Sequence, residues 1–196
     1  NLEIASAGLR ADKVDSLIIL TRNPLANVVS KLTPEQMTMQ LIYGETVESS
    51  GGNPEEAGKF HREFFLDPFI TGDRLEHAMI FYEVVKRNNI KCYLANTGTI
   101  GQDEIKVDLR QSLSAYNDVL RNLMIFSSEP DHLGYHFPVR CDRANLDYMR
   151  AGPLFPDKAL LEKKIEDFLK GRREYLERFE SEYGQIPAKI RDSLPH

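Results

Sequence analysis

The sequence predicts an α/β fold: a mixed sheet flanked by helices, completed by a long C-terminal amphipathic helix. Three observations carry that expectation. An apolar run at Ser16 to Leu20 and a second at Ile90 to Ala95 have the length and composition of strands, and two helix patterns lie between them. A stripe of apolar residues at helical spacing, Leu161, Ile165, Phe168, Leu169, Leu176 and Phe179, runs among many charges from Asp157 to about Tyr183. Strands separated by helices favour parallel or mixed pairing, because a parallel partner needs a crossover of a dozen or more residues.

Taken in order, residues 1–14 show no clear period and read as a flexible lead-in, with one α/β domain over 15–196. Ser16 to Leu20, closed by Arg22, Asn23 and Pro24, reads as a strand buried on both faces. Thr33-Pro34-Glu35-Gln36 is a capping box with proline at the first helical position, and Gly44 supplies the left-handed residue that ends that helix. Glu45 to Lys59 contains four glutamates, three glycines and a proline, and reads as a solvent-facing loop, either a lid or a surface insertion. Asp73 and Glu76 cap a second helix, whose Leu75, Ala78, Met79, Tyr82 and Val85 face a sheet. Asn96 to Gly101 is a small-residue loop at the carboxyl end of the second strand, where open α/β sheets hold their ligands. Asp108 caps a third helix that carries Leu109, Leu113, Tyr116 and Leu120, and Ser127 to Phe155 reads as an extended crossing with short strands.

Composition narrows the function classes. With 41% apolar and 28% charged residues and no low-complexity tract, the chain is expected to fold around one core. A net charge of −5, with basic residues spread among acids, argues against a nucleic-acid partner. No apolar run approaches the roughly 18 residues of a membrane span. Two cysteines outside any CxxC spacing, with Cys92 in an apolar run, indicate reduced thiols and a cytoplasmic location. The start at Asn1 without methionine reads as a piece of a larger protein.

Chemical motifs are sparse. The sequence contains no GxxxxGK[ST], HExxH, GxSxG or EF-hand pattern. His132 and His136 beside Asp131 have a metal-ligand spacing only if helical, and Gly134 and Pro138 oppose that, so hydrogen-bonded surface histidines are expected. His61 and His77 are expected to face solvent, and Arg140, Arg143 and Arg150 to form a surface set with Asp142 and Asp147. No catalytic residue and no metal ligand is assigned.

Three segments together resemble the C-terminal part of the nucleotide domain of the ATP-dependent phosphoenolpyruvate carboxykinase family. They are LIILTRNPLANVVSKLTPEQ, the Gly44-Glu45-Thr46 step into the acidic loop, and Tyr93-Leu94-Ala95-Asn96-Thr97-Gly98. The similarity covers roughly residues 15 to 180. It implies a lid over the substrates, assigned to Thr46, Glu48, Gly51, Gly52, Glu55 and Glu56, and a cleft wall at Asn96, Thr97 and Gly98. For a full-length protein it also implies ATP, Mg²⁺ or Mn²⁺ and a dicarboxylate, with the upstream part of the same polypeptide as partner. The family's phosphate loop, catalytic lysine and metal-holding His and Asp precede the matching region, so no cofactor is expected in this fragment and no catalysis by it alone.

The departures are specific. Asp103 stands near the family's adenine-packing arginine and Leu109 at its nucleotide-contacting threonine, and neither side chain makes the same contact. Two functions are therefore expected as alternatives. The first is the lid and wall of a carboxykinase-like site. The second is a non-catalytic module of the same fold, binding a small ligand or a protein.

Overall fold

The fold is seen in a computed structural model, in which residues 13–47, 55, 58–65 and 71–196 are described. Its centre is a three-stranded sheet of order β1-β5-β2, from β1 (Ser16–Thr21), β2 (Val29–Leu32) and β5 (Lys91–Asn96). β1 pairs parallel to β5, with Ser16 opposite Lys91 and Thr21 opposite Asn96, while β2 pairs antiparallel. The sheet is therefore mixed, as the element order implies. Among the described residues, strands of two or three residues form three further pairs: β3 (Thr46–Val47) with β4 (Phe60–His61), β6 (Thr99–Ile100) with β7 (Ile105–Lys106), and β8 (Ile125–Phe126) with β9 (Pro138–Arg140).

On one sheet face lie α1 (Pro34–Tyr43), α2 (Arg74–Arg87), α4 (Lys158–Tyr183) and the short α5 (Ala188–Arg191). This larger core contains Ile19, Met37, Leu41, Ile42, Phe64, Leu94, Phe168, Leu176 and Phe179. On the other face α3 (Leu109–Leu120) covers Val28, Val29 and Tyr93 through Ala115 and Val119. No helix among the described residues is long and apolar enough to cross a membrane.

The capping chemistry forms where the residues place it. Thr33 Oγ1 accepts from the Gln36 amide while Gln36 Oε1 accepts from the Thr33 amide, and Gly44 closes α1 at φ 50°. A Cβ at Gly44 would lie 1.5 Å from the Glu63 carbonyl oxygen, so both conformation and space demand glycine there. Asp73, Asp108 and Asp157 cap α2, α3 and α4.

One expectation about burial is overturned. β1 is not buried on both faces: it is an edge strand, and Leu20 is 53% exposed. The α3 leucines Leu109, Leu113 and Leu120 are exposed. The buried face is instead Ser112, Ala115, Asp118 and Val119. Small residues allow close approach to the sheet, and Asp118 Oδ2 accepts from the Asp142, Arg143 and Ala144 amides, which fixes the helix's rotation. Leu113→Lys is accordingly expected to change unfolding free energy by less than about 0.5 kcal/mol in a urea titration; a loss of more than about 2 kcal/mol would place this stripe in a core.

Candidate functional site

The site grows from the carboxyl ends of β1 and β5. Asn96, the last residue of β5, is fully buried. Its Nδ2 lies 2.9 Å from the Asn23 carbonyl, 3.2 Å from that of Ala26 and 2.8 Å from that of Thr99, and its Oδ1 accepts from the Gly98 amide at 3.0 Å. Asn96 therefore spends its amide on shaping two loops. The surface of this wall falls to the next residues, exposed Thr97 and half-buried Gly98.

A short chain of hydrogen bonds joins this wall to the start of the acidic segment. The Thr97 amide donates to the Thr21 carbonyl at 2.9 Å, and Thr21 Oγ1 donates to the Glu45 carbonyl at 2.6 Å. Thr46 follows directly and pairs with His61 across β3 and β4. Two regions separated by some 50 positions, each assigned to the site from sequence, thus meet at one end of the sheet. Of the remaining lid residues, Glu55 is exposed in a turn, and Glu48, Gly51, Gly52 and Glu56 lie outside the described residues.

Glu45 itself corrects the reading of this segment as solvent-facing. Its side chain is 2% exposed and ion-paired with the fully buried Arg172 of α4. Arg172 Nε donates to Glu45 Oε1 and Nη2 to Oε2, both at 2.9 Å, the two-pronged geometry of the strongest carboxylate pairs. Arg62 Nε adds a third donor at 3.1 Å. Arg172 also donates to the Tyr135 hydroxyl and to the Pro195 carbonyl, so few of its protons are left unmet. Burial pushes the Glu45 carboxyl up, but Arg172 and Arg62 outweigh it and hold the group below the usual carboxylate range. Burial, opposed by the Arg172 charge and aided by that of Glu45, raises the Tyr43 hydroxyl to about 12.

Arg62 reaches this cluster by crossing α4. Its guanidinium lies 4.7 Å from the ring centres of both Phe60 and Phe168 and donates to the Phe168 carbonyl at 2.9 Å. The passage depends on Gly171, where a Cβ would approach Arg62 Nη1 to 2.5 Å. Alanine in mid-helix normally gains about 1 kcal/mol over glycine. Gly171→Ala is expected to reverse that sign and cost about 1 kcal/mol, measured as a lower urea midpoint, because Arg62 must leave its partners.

The other sequence candidates separate clearly. The segment with His132 and His136 is not helical: His132 Nε2 contacts the Leu25 carbonyl at 3.2 Å, and His136 Nδ1 the Ser127 carbonyl at 2.9 Å. Asp131 accepts from the Leu133 and Tyr135 amides and from Asn27 Nδ2. Among the described residues no group of three or more His, Cys, Asp or Glu is placed to hold a metal ion. His77 is exposed as expected, but His61 is half-buried in β4 with its Nε2 covered. Arg150 lies over the Phe137 ring at 4.2 Å. Asp103 and Glu104 are exposed in the turn between β6 and β7, and Lys106 of β7 is exposed beside them. Beside that turn Val28, Ile100, Ile105, Val107 and Tyr148 line an apolar pocket of about 230 Å³, and the Val107 amide donates to the Gly98 carbonyl.

Three relatives show how far the likeness extends. Phosphoenolpyruvate carboxykinase (ATP) of Rhodopseudomonas palustris (strain BisB5) is 24% identical over 203 residues, covering 97% of this chain. The protein of that name from Parvibaculum lavamentivorans is 25% identical over 203 residues, again 97% of the chain. That from Aeropyrum pernix is 25% identical over 179 residues, 89% of the chain. The chain spans only 35% to 37% of the length of these relatives. The sequence pattern of the family described as phosphoenolpyruvate carboxykinase matches residues 2–145, well over half of the chain, and includes Thr21, Glu45 and Asn96 to Gly98. On that match, the chain belongs to the phosphoenolpyruvate carboxykinase family.

Proposed function

We propose that this chain supplies the cleft wall and the lid base of a carboxykinase-like site, in which the family's reaction joins nucleotide-dependent phosphorylation to decarboxylation of oxaloacetate. The observation that carries this reading is the Thr97–Thr21–Glu45 chain of hydrogen bonds, which holds wall and lid base at the carboxyl end of the sheet. In this reading the chain corresponds to the C-terminal part of the family's nucleotide domain. The family's phosphate loop, catalytic lysine and metal-holding His and Asp belong to the remainder of a full-length protein, where ATP and Mg²⁺ or Mn²⁺ are completed into a reacting site. The exposed leucines of α3 and the edge of β1, which pairs with no second strand among the described residues, support it, since both are surfaces that further strands and helices cover in larger α/β sheets.

The test is binding by the chain, followed at the backbone amides. Titration with ATP and, separately, with oxaloacetate is expected to shift the Thr97, Gly98 and Val107 resonances. Silence at all three with both compounds would remove the reading. One observation favours a second reading, that of a non-catalytic module: Asp103, Glu104 and Asp108 outnumber Lys106 at the pocket, a balance that disfavours phosphates. Under it, shifts at the β6–β7 turn appear with an uncharged or cationic ligand and not with ATP.

A further inference from the structure

We propose that Arg22 is the anion-recognising residue of this cleft, taking a phosphate or a carboxylate group. The inference rests on the cleft reading above and adds the residue that supplies its positive charge. Arg22 follows β1 directly, between the wall loop and the lid base, and is exposed. Its backbone is held on both sides by the wall: the Thr21 carbonyl accepts from the Thr97 amide, and the Asn23 carbonyl accepts from Asn96 Nδ2. Asn23 is held further, since its own Oδ1 accepts from the Leu25 amide. The backbone that carries Arg22 is thus already fixed, so binding has only the side chain to order.

Gly98 gives the second reason. Its φ is not in the left-handed region, so conformation does not demand glycine there. Space does. A Cβ at 98 would lie 3.0 Å from Arg22 Cβ and 3.2 Å from both its Cα and its Cγ. The glycine lets the stem of Arg22 lie against the wall loop.

The third reason is that this guanidinium makes no hydrogen bond, ion pair or ring contact among the described residues, whereas Arg62 and Arg172 nearby are spent on Glu45. A planar fork of donors without an internal partner, at the carboxyl end of two parallel strands, suits an oxyanion. It also adds positive charge to a site where Asp103, Glu104 and Asp108 outnumber the one lysine of the β6–β7 hairpin, Lys106.

The experiment compares the 196-residue chain with Arg22→Gln, Arg22→Lys and, as a control for net charge, Arg143→Gln. ATP is the phosphate probe and succinate the carboxylate probe, with affinity and amide shifts read by NMR. Arg22→Gln is expected to weaken at least one probe by about tenfold or more, the usual loss for a charge-assisted contact. Its melting temperature should not change, because no internal contact is removed. Arg22→Lys should keep part of the affinity for ATP and less of that for succinate, since an ammonium binds phosphate as a point charge but cannot pair both carboxylate oxygens in parallel.

Which probe loses affinity distinguishes a nucleotide from a dicarboxylate source. Undiminished binding by Arg22→Gln, with shifts at Thr97 and Gly98 intact, overturns the role of Arg22 and leaves the cleft reading standing. An equal loss in Arg143→Gln overturns it as an effect of net charge. Failure of both probes to bind the unaltered chain removes both proposals.

Discussion

Replacing Arg172 by Met is expected to destabilise the chain by about 3–5 kcal/mol, the range for breaking a buried ion pair from one side. The change removes two donors from Glu45, which then keeps Arg62 at 3.1 Å and a long contact from Gln40 at 3.4 Å while staying buried. It also leaves the Tyr135 hydroxyl and the Pro195 carbonyl without their donor. Glu45→Gln is expected to cost less, about 2–3 kcal/mol, because a neutral acceptor still meets one arm of Arg172. The double variant is expected to lose clearly less than the two single losses added together, since the second change then removes no further pairing. Urea denaturation of the four proteins gives the cycle, and simple additivity would show that the pair contributes nothing beyond packing.

The same pair makes stability depend on pH in a defined direction. The Glu45 carboxyl lies below the usual range when folded, so its contribution is present above the unfolded value of about 4.3 and is lost as pH falls through the folded one. Glu35 adds to this in the same direction. Burial opposes the shift, but hydrogen bonds from Lys189, from backbone and from the Tyr82 hydroxyl hold it at about 2. The unaltered chain is therefore expected to lose stability on acidification below about pH 5. The gap between it and Glu45→Gln should narrow over the same range. A gap that stays constant from pH 7 to pH 3 would mean that the carboxylate charge is not what holds Arg172.

The sequence carried much of this fold, and the reasons for the exceptions are physical. Local chemistry was legible: the Thr33 to Gln36 capping box, the left-handed Gly44 and the aspartate caps of three helices need only neighbours in sequence. The strand pair β1 and β5 followed from apolar runs. The buried cluster was not legible, because Glu45, Arg62, Tyr135 and Arg172 meet only in three dimensions. A signal was nonetheless present. Arg172 sits four residues after Phe168 and four before Leu176, in the middle of the apolar stripe of α4, and the mid-helix Gly171 stands beside it. A charge on a buried stripe requires a buried counter-charge. In α3 the apolar spacing of Leu109, Leu113 and Leu120 marks a face without saying whether anything covers it, and these residues are exposed.

Asn96→Ala is the second large expected effect, about 3 kcal/mol or more. Truncation leaves the Asn23, Ala26 and Thr99 carbonyls and the Gly98 amide without the partner that joins them, in a place closed to water. Asn96→Asp has nearly the same volume and separates packing from hydrogen bonding. It replaces the donor group by a carboxylate oxygen facing three carbonyl oxygens, so at pH 7 it is expected to cost more than alanine does. Burial and that repulsion raise the new carboxyl's pKa, and protonation restores a donor. Relative to the unaltered chain, Asn96→Asp should therefore recover stability as pH falls, the opposite of the trend that Glu45 imposes. If Asn96→Ala instead unfolds at the same urea concentration as the unaltered chain, the amide of Asn96 is not what shapes the wall, and the loop holding Thr97 and Gly98 is kept in place by the backbone pairing of β5 alone.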